Sequence, residues 1–422
     1  MASRFLKINR KSTAISFALA ILFALTIGVG RAANGQTFSV IHTFTGPDGW
    51  YPSTGLTLDS GGNLYGTTVS GGANEGTVFK MTRHGSDWIL TTLFDFNSSD
   101  GYSPLSPVAF GPDGALYGTA QFGGLGAGVV FKLTPPAHIC SSVSCPWTQV
   151  LLHEFDGKHG TPLGPSGPLS FDAAGNIYGT TQLGGDYNSC IAGGLGCGTV
   201  YELTKSLGWQ ESTLHAFTQR SDGEYPYSGV ILDAAGNLYG TDPGGVVFEL
   251  SPSGSGWAFQ ILTDFSGNEG AETYAGLIWD QAGNLYGANA YGGTGQGGTA
   301  FKLSPTGGNW NVNLLFSFTG NGGLNDGPES SLMMDSAGNL YGTTFEDGAD
   351  GCGSAFKLTP SNGSYIYTSL HDFTCGSDGG NPISTLVMDA DGNLFGTTTI
   401  GGNPGGHNCD GLGCGVVFEI AP

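Results

Sequence analysis

Five short acidic turns recur along the sequence, each beside an aromatic residue or a proline. They read "PDGWYP", "SDGYSP", "SDGEYP", "NDGP" and "SDGGNP", beginning at residues 47, 99, 221, 325 and 377. Carboxylates accept hydrogen bonds from hydroxyl groups, and aromatic rings offer flat apolar faces for stacking. We therefore expect a binding surface on these loops, with a glycan or a surface protein as the partner. The candidate residues are Asp48, Trp50, Tyr51, Asp100, Tyr102, Asp222, Tyr225, Tyr227, Asp326 and Asp378. Alternatively, Asp-Gly marks turns and the aromatic residues only cover the scaffold.

Two patterns suggest metal ligands but have simpler explanations. "DADGN" (389–393) begins like a calcium loop, yet it lacks the remaining ligands and the closing glutamate. The second pattern is a set of four histidines at one repeated position, which other copies fill with Phe or Thr: His42, His153, His215 and His371. Equivalent positions in different repeats lie far apart, so we expect a structural role. No cofactor is expected, and calcium remains the one possibility left open.

Eight cysteines indicate a disulfide framework formed in an oxidising compartment. Three pairs are close in sequence and bracket loops: Cys140 with Cys145, Cys190 with Cys197, and Cys409 with Cys414. Cys352 and Cys375 lie at the start of one expected strand and the end of the next, which antiparallel pairing would bring together. Zinc is the alternative, and these spacings disfavour it. Each bridge should contribute about 2 kcal/mol, since the loops are mostly short.

The chemistry-bearing residues are carried by a long internal repeat. A phrase like "DSAGNLYGTT" (335–344) occurs seven times, and its "GN" glycines are spaced 47 to 61 residues apart. Each repeat contains four segments of period-two alternation rich in Val, Thr, Tyr and Phe, which is typical of strands. Repeats of four strands indicate an all-β array.

The two ends of the array show how it closes. The last repeat stops after its third strand, "VVFEIAP", and a copy of the missing fourth strand, "FSVIHTFTG" (38–46), precedes the first repeat. In a ring this strand would complete the last sheet. We therefore predict a seven-bladed β-propeller with four strands per blade, closed by the N-terminal strand, over residues 36–422.

The phrase "D-x-x-G-N-L-Y-G-T-T" followed by "G-T-V-F-K-L-T-P" resembles the GloVer (Gloeobacter/Verrucomicrobia) tandem repeat of exported bacterial proteins. The "D-x-x-G-N-L-Y" hairpin is more loosely similar to NHL and gluconolactonase-like propellers. The first resemblance implies a secreted or surface protein without a settled biochemical role. Relatives are expected to carry a variable C-terminal anchor, whereas this chain ends in a strand.

The N-terminal segment predicts export. A basic start is followed by an apolar run to Gly30 and then by small residues, which is typical of a signal peptide over residues 1–35. An uncleaved membrane anchor is the alternative. We expect a periplasmic, extracellular or cell-surface monomer that does not insert into a membrane once the signal is removed. The net charge of −21 for the whole chain disfavours nucleic acid as a partner.

Three functions remain open on sequence grounds. We favour a non-enzymatic propeller that binds a glycan or protein on its loops, because the repeats are too similar to show one specialised catalytic blade. The alternative is a calcium-dependent hydrolase or lyase acting at the central channel. A purely structural surface protein is the third possibility. No catalytic residue is nominated, because sialidase-like arginine clusters and hydrolase nucleophile motifs are missing from the sequence.

Overall fold

The computed structural model describes residues 36–73, 75–136, 147–158, 161–187, 190, 194–219, 222–320, 326–402, 409 and 411–422. Thr37–Ala421 forms one compact unit. The predicted signal peptide and the Cys140/Cys145 pair lie outside the described residues.

Seven four-stranded antiparallel sheets form the blades of a propeller, as the repeat predicts. The first strands are β2 (Thr57–Leu58), β6 (Ala109–Phe110), β10 (Pro162–Phe171), β14 (Ile231–Leu232), β18 (Ile278–Trp279), β22 (Met333–Met334) and β26 (Val387–Met388). The second strands are β3 (Leu64–Thr68), β7 (Leu116–Ala120), β11 (Ile177–Gly184), β15 (Leu238–Thr241), β19 (Leu285–Asn289), β23 (Leu340–Thr344) and β27 (Leu394–Thr398). The third strands are β4 (Thr77–His84), β8 (Val129–Thr134), β12 (Thr199–Thr204), β16 (Val246–Ser253), β20 (Thr299–Thr306), β24 (Ser354–Ser361) and β28 (Val416–Ala421). The fourth strands are β5 (Asp87–Asp95), β9 (Thr148–Glu154), β13 (Gln210–Ala216), β17 (Gly256–Asp264), β21 (Asn309–Ser317), β25 (Ser364–Asp372) and, for the last blade, β1 (Thr37–Thr43).

The last blade is closed by the N-terminal strand, as predicted. β1 pairs with β28 from Thr37 opposite Ala421 to Thr43 opposite Val416. Phe44 follows β1, is fully buried, and packs its ring 5.4 Å from that of Phe79 in the first blade. One segment therefore completes the seventh sheet and contacts the first.

The repeated phrase forms the hairpin between the first two strands of each blade. In the first copy, Asp59 Oδ1 accepts the amides of Gly61 and Asn63, and Oδ2 accepts the Tyr65 hydroxyl at 3.0 Å. A tyrosine–aspartate bond recurs in the next five copies, at distances of 3.0 to 3.4 Å. In the second copy its acceptor is Asp113, which lies four residues before Tyr117 instead of six. Phe395 in the seventh copy keeps the ring without the hydroxyl group. The phrase is a structural turn, as the sequence indicates.

Threonine hydroxyls connect successive blades around the central channel. The threonine after the phrase's "LYG" donates to a carbonyl oxygen of the next blade: Thr67 to Ser106, Thr180 to Ser228, Thr241 to Ala275, Thr343 to Ser384, and Thr397 to Thr54. The bond from Thr397 to Thr54 crosses the closure. The first strand of each blade is the innermost one, and in six of the seven blades it is only two residues long. The threonine hydroxyl groups therefore satisfy backbone oxygens that a longer strand would pair.

Disulfides hold loops that contact the following blade. Bonds join Cys190 to Cys197, Cys352 to Cys375 and Cys409 to Cys414, which are the pairs expected from the sequence. The carbonyl oxygens of Cys197, Cys352 and Cys414 accept backbone amides of Tyr225, Asn381 and Tyr51 respectively. Each of these bridges therefore fixes a residue at a blade junction.

The loops of the blades emerge on two opposite faces. Loops between second and third strands, and those between blades, form what we call the loop face. The hairpins within each blade, between first and second and between third and fourth strands, form the hairpin face. The only helices among the described residues are two 3₁₀ turns, Lys205–Leu207 and Gly267–Glu269, and none of the described helices could span a membrane.

Candidate functional site

The aspartates of the acidic turns bond within their own loops. Asp48 accepts the amide and the hydroxyl of Thr45, both at 2.8 Å, and pairs with His42 Nε2 at 2.9 Å. Asp222 pairs in the same way with His215 at 3.2 Å, and Asp378 with His371 at 3.0 Å. Three of the four repeated histidines therefore pair with acidic turns, which the sequence presents as a separate pattern. His153 instead packs edge-on against Phe155.

The two remaining turn aspartates are also engaged by their loops. Asp100 accepts the amide of Asn97 at 2.8 Å, and Asp326 is only 1% exposed. The five candidate carboxylates thus belong to five separate turns and are not brought together in one pocket. They shape the loops in which they lie.

Most of the candidate aromatic residues pack against the scaffold. Trp50 contacts a buried cluster around Phe44, Tyr102 stacks on Phe122 at 5.1 Å, and Tyr225 packs against the core of its blade. Tyr51 and Tyr227 differ, because they are 37% and 47% exposed and line a pocket on the channel. Two of the ten candidates therefore share one concave surface.

This pocket, which we call the channel pocket, is built by all seven blades. Its volume is about 430 Å³, and it is lined by Tyr51, Ser53, Leu105, Ser166, Gln182, Tyr227, Tyr274, Glu329 and Ile383. Seven of these residues occupy one repeat position, directly after the proline (threonine in the fifth blade) that ends the loop between blades. The same backbone position thus projects five kinds of side chain (Ser, Leu, Tyr, Glu and Ile) from the seven blades. Sequence analysis missed most of them, although variation at this position within an otherwise uniform repeat was a usable signal.

The residue before that proline holds an unusual backbone conformation. Tyr51, Ser103, Tyr225, Glu272 and Asn381 have φ between 51° and 62°, the left-handed region that side chains rarely adopt. In four of these blades its amide donates to a carbonyl oxygen of the preceding blade. This conformation recurs around the ring, so it supports the channel wall in several blades.

Acidic groups cluster on one side of the channel pocket. Burial, together with the charges of Glu272 and Glu346, raises the pKa of Glu329 to about 7. The hydroxyl of Tyr274 donates to Glu272 at 3.3 Å, and its ring packs edge-on against Tyr227 at 5.4 Å. Burial and the charge of Glu329 also raise the pKa of Tyr51. The pocket therefore combines aromatic faces with the carboxyl group of Glu329, and the neighbouring charges of Glu272 and Glu346 disfavour anions there.

The side chains of the channel pocket offer both stacking faces and hydrogen-bonding groups. The aromatic faces, the carboxylates and the Gln182 amide can stack on a neutral ring and hydrogen-bond its hydroxyl groups. Within the described ranges, no three His, Cys, Asp or Glu side chains are placed to hold a metal ion.

Stability should depend on pH through Glu329. Between its ordinary pKa of 4.5 and its raised pKa of about 7, the folded protein holds a proton that the unfolded chain has released. The free energy of unfolding should therefore fall by about 1–3 kcal/mol as pH rises through this window. Urea unfolding of Glu329→Gln should show a flatter pH dependence, whereas the exposed Glu269→Gln control should match the wild type. Equal slopes for Glu329→Gln and the wild type would contradict the assignment.

Comparison with known proteins gives a family and distant structural likenesses. No curated protein matches the chain. A candidate 6-phosphogluconolactonase of Bacteroides uniformis is 14% identical, with a TM-score of 0.47 over 76% of this chain and 84% of that one. A second candidate 6-phosphogluconolactonase, of Bacteroides fragilis, is 10% identical, with a TM-score of 0.49 over 84% and 98%. A candidate oxidoreductase (glucose dehydrogenase) of Thermus thermophilus is 15% identical, with a TM-score of 0.42 over 92% and 100%.

The repeat itself identifies the family. Residues 22–144 and 240–422 match the Gloeobacter/Verrucomicrobia repeat, and together they make up well over half of the chain. The resemblance seen in the repeated phrase is confirmed, and the chain belongs to the Gloeobacter/Verrucomicrobia repeat family.

Proposed function

We propose that this protein is an exported, non-enzymatic propeller that binds a glycan in the channel pocket. The observation that carries the proposal is the meeting of Tyr51, Tyr227 and Tyr274 with Glu329, from four blades, around one cavity. A cavity of about 430 Å³ is within the range of small-molecule sites. The disulfides support an oxidising compartment outside the cytoplasm.

The charges of the pocket restrict which glycan fits. Glu272 and Glu346 lie close enough to Glu329 for their charges to raise its pKa, and the chain carries a net charge of −21. Uronic and sialic acids would be repelled by these groups. A neutral sugar can stack on Tyr227 or Tyr274 and donate hydroxyl protons to Glu329. Neutral hexose oligomers are therefore the class that we expect.

The test is a glycan array probed with the purified protein, followed by calorimetric titration of the best neutral ligand. Tyr227→Ala and Tyr274→Ala should each weaken binding about tenfold, because each removes a stacking face. Tyr102→Ala is the matched control on the loop face, since its ring stacks on Phe122 outside the pocket. We expect that control to bind normally.

Two outcomes would reject this function. One is the retention of no neutral glycan by the folded protein. The other is equal binding by the Tyr227→Ala, Tyr274→Ala and Tyr102→Ala variants. Capture of a protein ligand that all three variants retain would place recognition elsewhere on the surface.

A further inference from the structure

On the hairpin face, a lysine lies over the phrase tyrosine in four blades. The lysine is the "K" of "FKL" in the third strand, and its Nζ lies 5.2 to 5.6 Å from the ring centroid in the pairs Lys80/Tyr65, Lys132/Tyr117, Lys302/Tyr286 and Lys357/Tyr341. In two of these blades an aspartate of the phrase hairpin forms an ion pair with the same lysine: Asp113 with Lys132, and Asp280 with Lys302 at 3.9 Å. The repeat thus builds a site for a cation, with an aromatic face and a carboxylate, and fills it with its own lysine.

Three blades carry glutamate at the lysine position: Glu202, Glu249 and Glu419. At the closure, Arg83 of the first blade binds Glu419 at 3.4 Å and lies 5.7 Å from the ring of Trp88. A cation from the neighbouring blade therefore replaces the lysine there. In the third blade, Lys205 follows the third strand and its side chain passes beside Gly175 of the phrase hairpin.

The fourth blade combines the glutamate with a second change. Glu249 and Asp233 lie near Tyr239. Burial is the largest cause that raises the pKa of the Tyr239 hydroxyl group, and the charges of these two carboxylates raise it further. At the junction with the fifth blade, the first strand carries Trp279, where the other first strands have Leu, Phe or Met. The two departures from the repeat meet at one junction.

The result is an open cleft walled by aromatic rings. The ring centroids of Tyr239 and Trp279 are 4.9 Å apart, those of Tyr239 and Trp310 are 5.9 Å apart, and those of Trp279 and Trp310 are 6.4 Å apart. The cleft has a volume of about 490 Å³, and its lining includes both tryptophans, Asp233 and Asp280. We call it the hairpin-face cleft.

The carboxylates of this cleft are fixed in position. Burial opposes ionisation of Asp280, but hydrogen bonds from Asn284 and Tyr286 hold its pKa below the ordinary value. Asp280 is therefore ionised at neutral pH, and Lys302 approaches it only to 3.9 Å. Asp233 receives the Asn237 amide at 2.8 Å and the Tyr239 hydroxyl at 3.2 Å. The cleft presents negative charge and aromatic faces in a rigid frame.

We infer that the hairpin-face cleft binds an organic ammonium cation, held against the ring surfaces of Trp279 and Trp310 that line the cleft, beside the carboxylates of Asp233 and Asp280. The ligand cation would take the part that lysine plays in the other blades. Quaternary ammonium groups suit such a site, because their low cost of desolvation favours contact with aromatic rings. This site lies on the face opposite the channel pocket and does not depend on the proposed glycan function.

The first experiment is calorimetric titration of the full chain with choline. Its neutral analogue, in which carbon replaces the ammonium nitrogen, has the same shape and should bind at least about fivefold more weakly, since it lacks the attraction to the rings and carboxylates. Equal affinity of the two compounds, or no binding of choline at millimolar concentration, would overturn the inference.

Variants that introduce residues found at the equivalent position of other blades should keep the fold. Glu249→Lys restores the residue that four blades carry, and its ammonium should compete for the cleft and weaken choline binding at least about tenfold. Trp279→Leu introduces the residue of the fourth blade at this position, Leu232, and should weaken binding similarly. Glu202→Lys makes the same charge change one blade earlier and should leave choline affinity unchanged, as should Tyr227→Ala in the channel pocket. Wild-type affinity in Glu249→Lys would reject the site.

Two sources of the ammonium group can be separated. Cosedimentation with phosphatidylcholine vesicles that the Trp279→Leu variant does not show would indicate a lipid headgroup as the ligand. Binding of choline without cosedimentation would indicate a free cation.

Discussion

Deletion of residues 36–44 should abolish the cooperative unfolding transition of this propeller. The deletion removes β1, which supplies every backbone hydrogen bond to the outer edge of β28, and it removes the buried ring of Phe44 between two blades. An exposed edge strand is also a template for aggregation. We expect a sharp urea transition for the full chain and none for the variant. In size-exclusion chromatography the variant should elute as aggregates.

A point substitution separates the packing role of this segment from its strand pairing. Phe44→Ala should keep β1 in place yet lower the free energy of unfolding by about 3–5 kcal/mol, because a large cavity opens beside Phe79. Ser39→Ala, at an exposed position of the same strand, should change it by less than about 0.5 kcal/mol. An unchanged urea midpoint for Phe44→Ala would show that the closure does not limit stability.

The second large effect is expected at the glycine of "LYG". A Cβ at Gly240 would lie 2.5 Å from Cζ of Phe248, which is closer than real Cβ contacts. The same collision with the third-strand aromatic ring recurs in every repeat, at Gly66, Gly118, Gly179, Gly287, Gly342 and Gly396. Gly240→Ala should therefore lower the free energy of unfolding by about 2 kcal/mol or more, since the ring must leave its position.

Gly256 of the same blade is the matched control for this substitution. No atom lies within 4 Å of a Cβ built there, and its φ is outside the left-handed region. Gly256→Ala should leave the urea midpoint unchanged or slightly raised. If the two alanine variants unfold at the same urea concentration, the steric account of the repeated glycine is wrong.

The fold could be predicted because the same sequence pattern recurs in every blade. Seven copies of one phrase, and one fourth strand displaced to the N-terminus, determine the number of blades and the closure. A local irregularity in strand pairing could not be predicted in the same way. Period-two alternation places Leu93 on the exposed side of β5, but a bulge in the pairing of β4 with β5 turns it inward, where it is 3% exposed. A bulge depends on sheet geometry that no residue type marks.

The candidate site was harder to predict than the fold. Asp48 and Asp378 have the residue type of ligand-binding groups, yet they bond to histidines that lie six and seven residues away in the sequence. In the sequence, Glu329 is one of many acidic residues. The closed ring of blades places it in the same pocket as Tyr51 and Tyr274. Which side chains meet across a channel is set by the closure of all seven blades, so a single repeat does not contain that information.

The pairing of β1 with β28 also determines when the last blade can form during synthesis. Val416 is synthesised 373 residues after its partner Thr43 (416 − 43). At about 5–20 residues per second, β1 waits roughly 20–80 s for β28, far longer than a hairpin needs to form. The six internal blades can form from neighbouring segments while the ring remains open. We therefore expect the last blade to form last, and the segment "TFSVIHTF" stays without its strand partner until then.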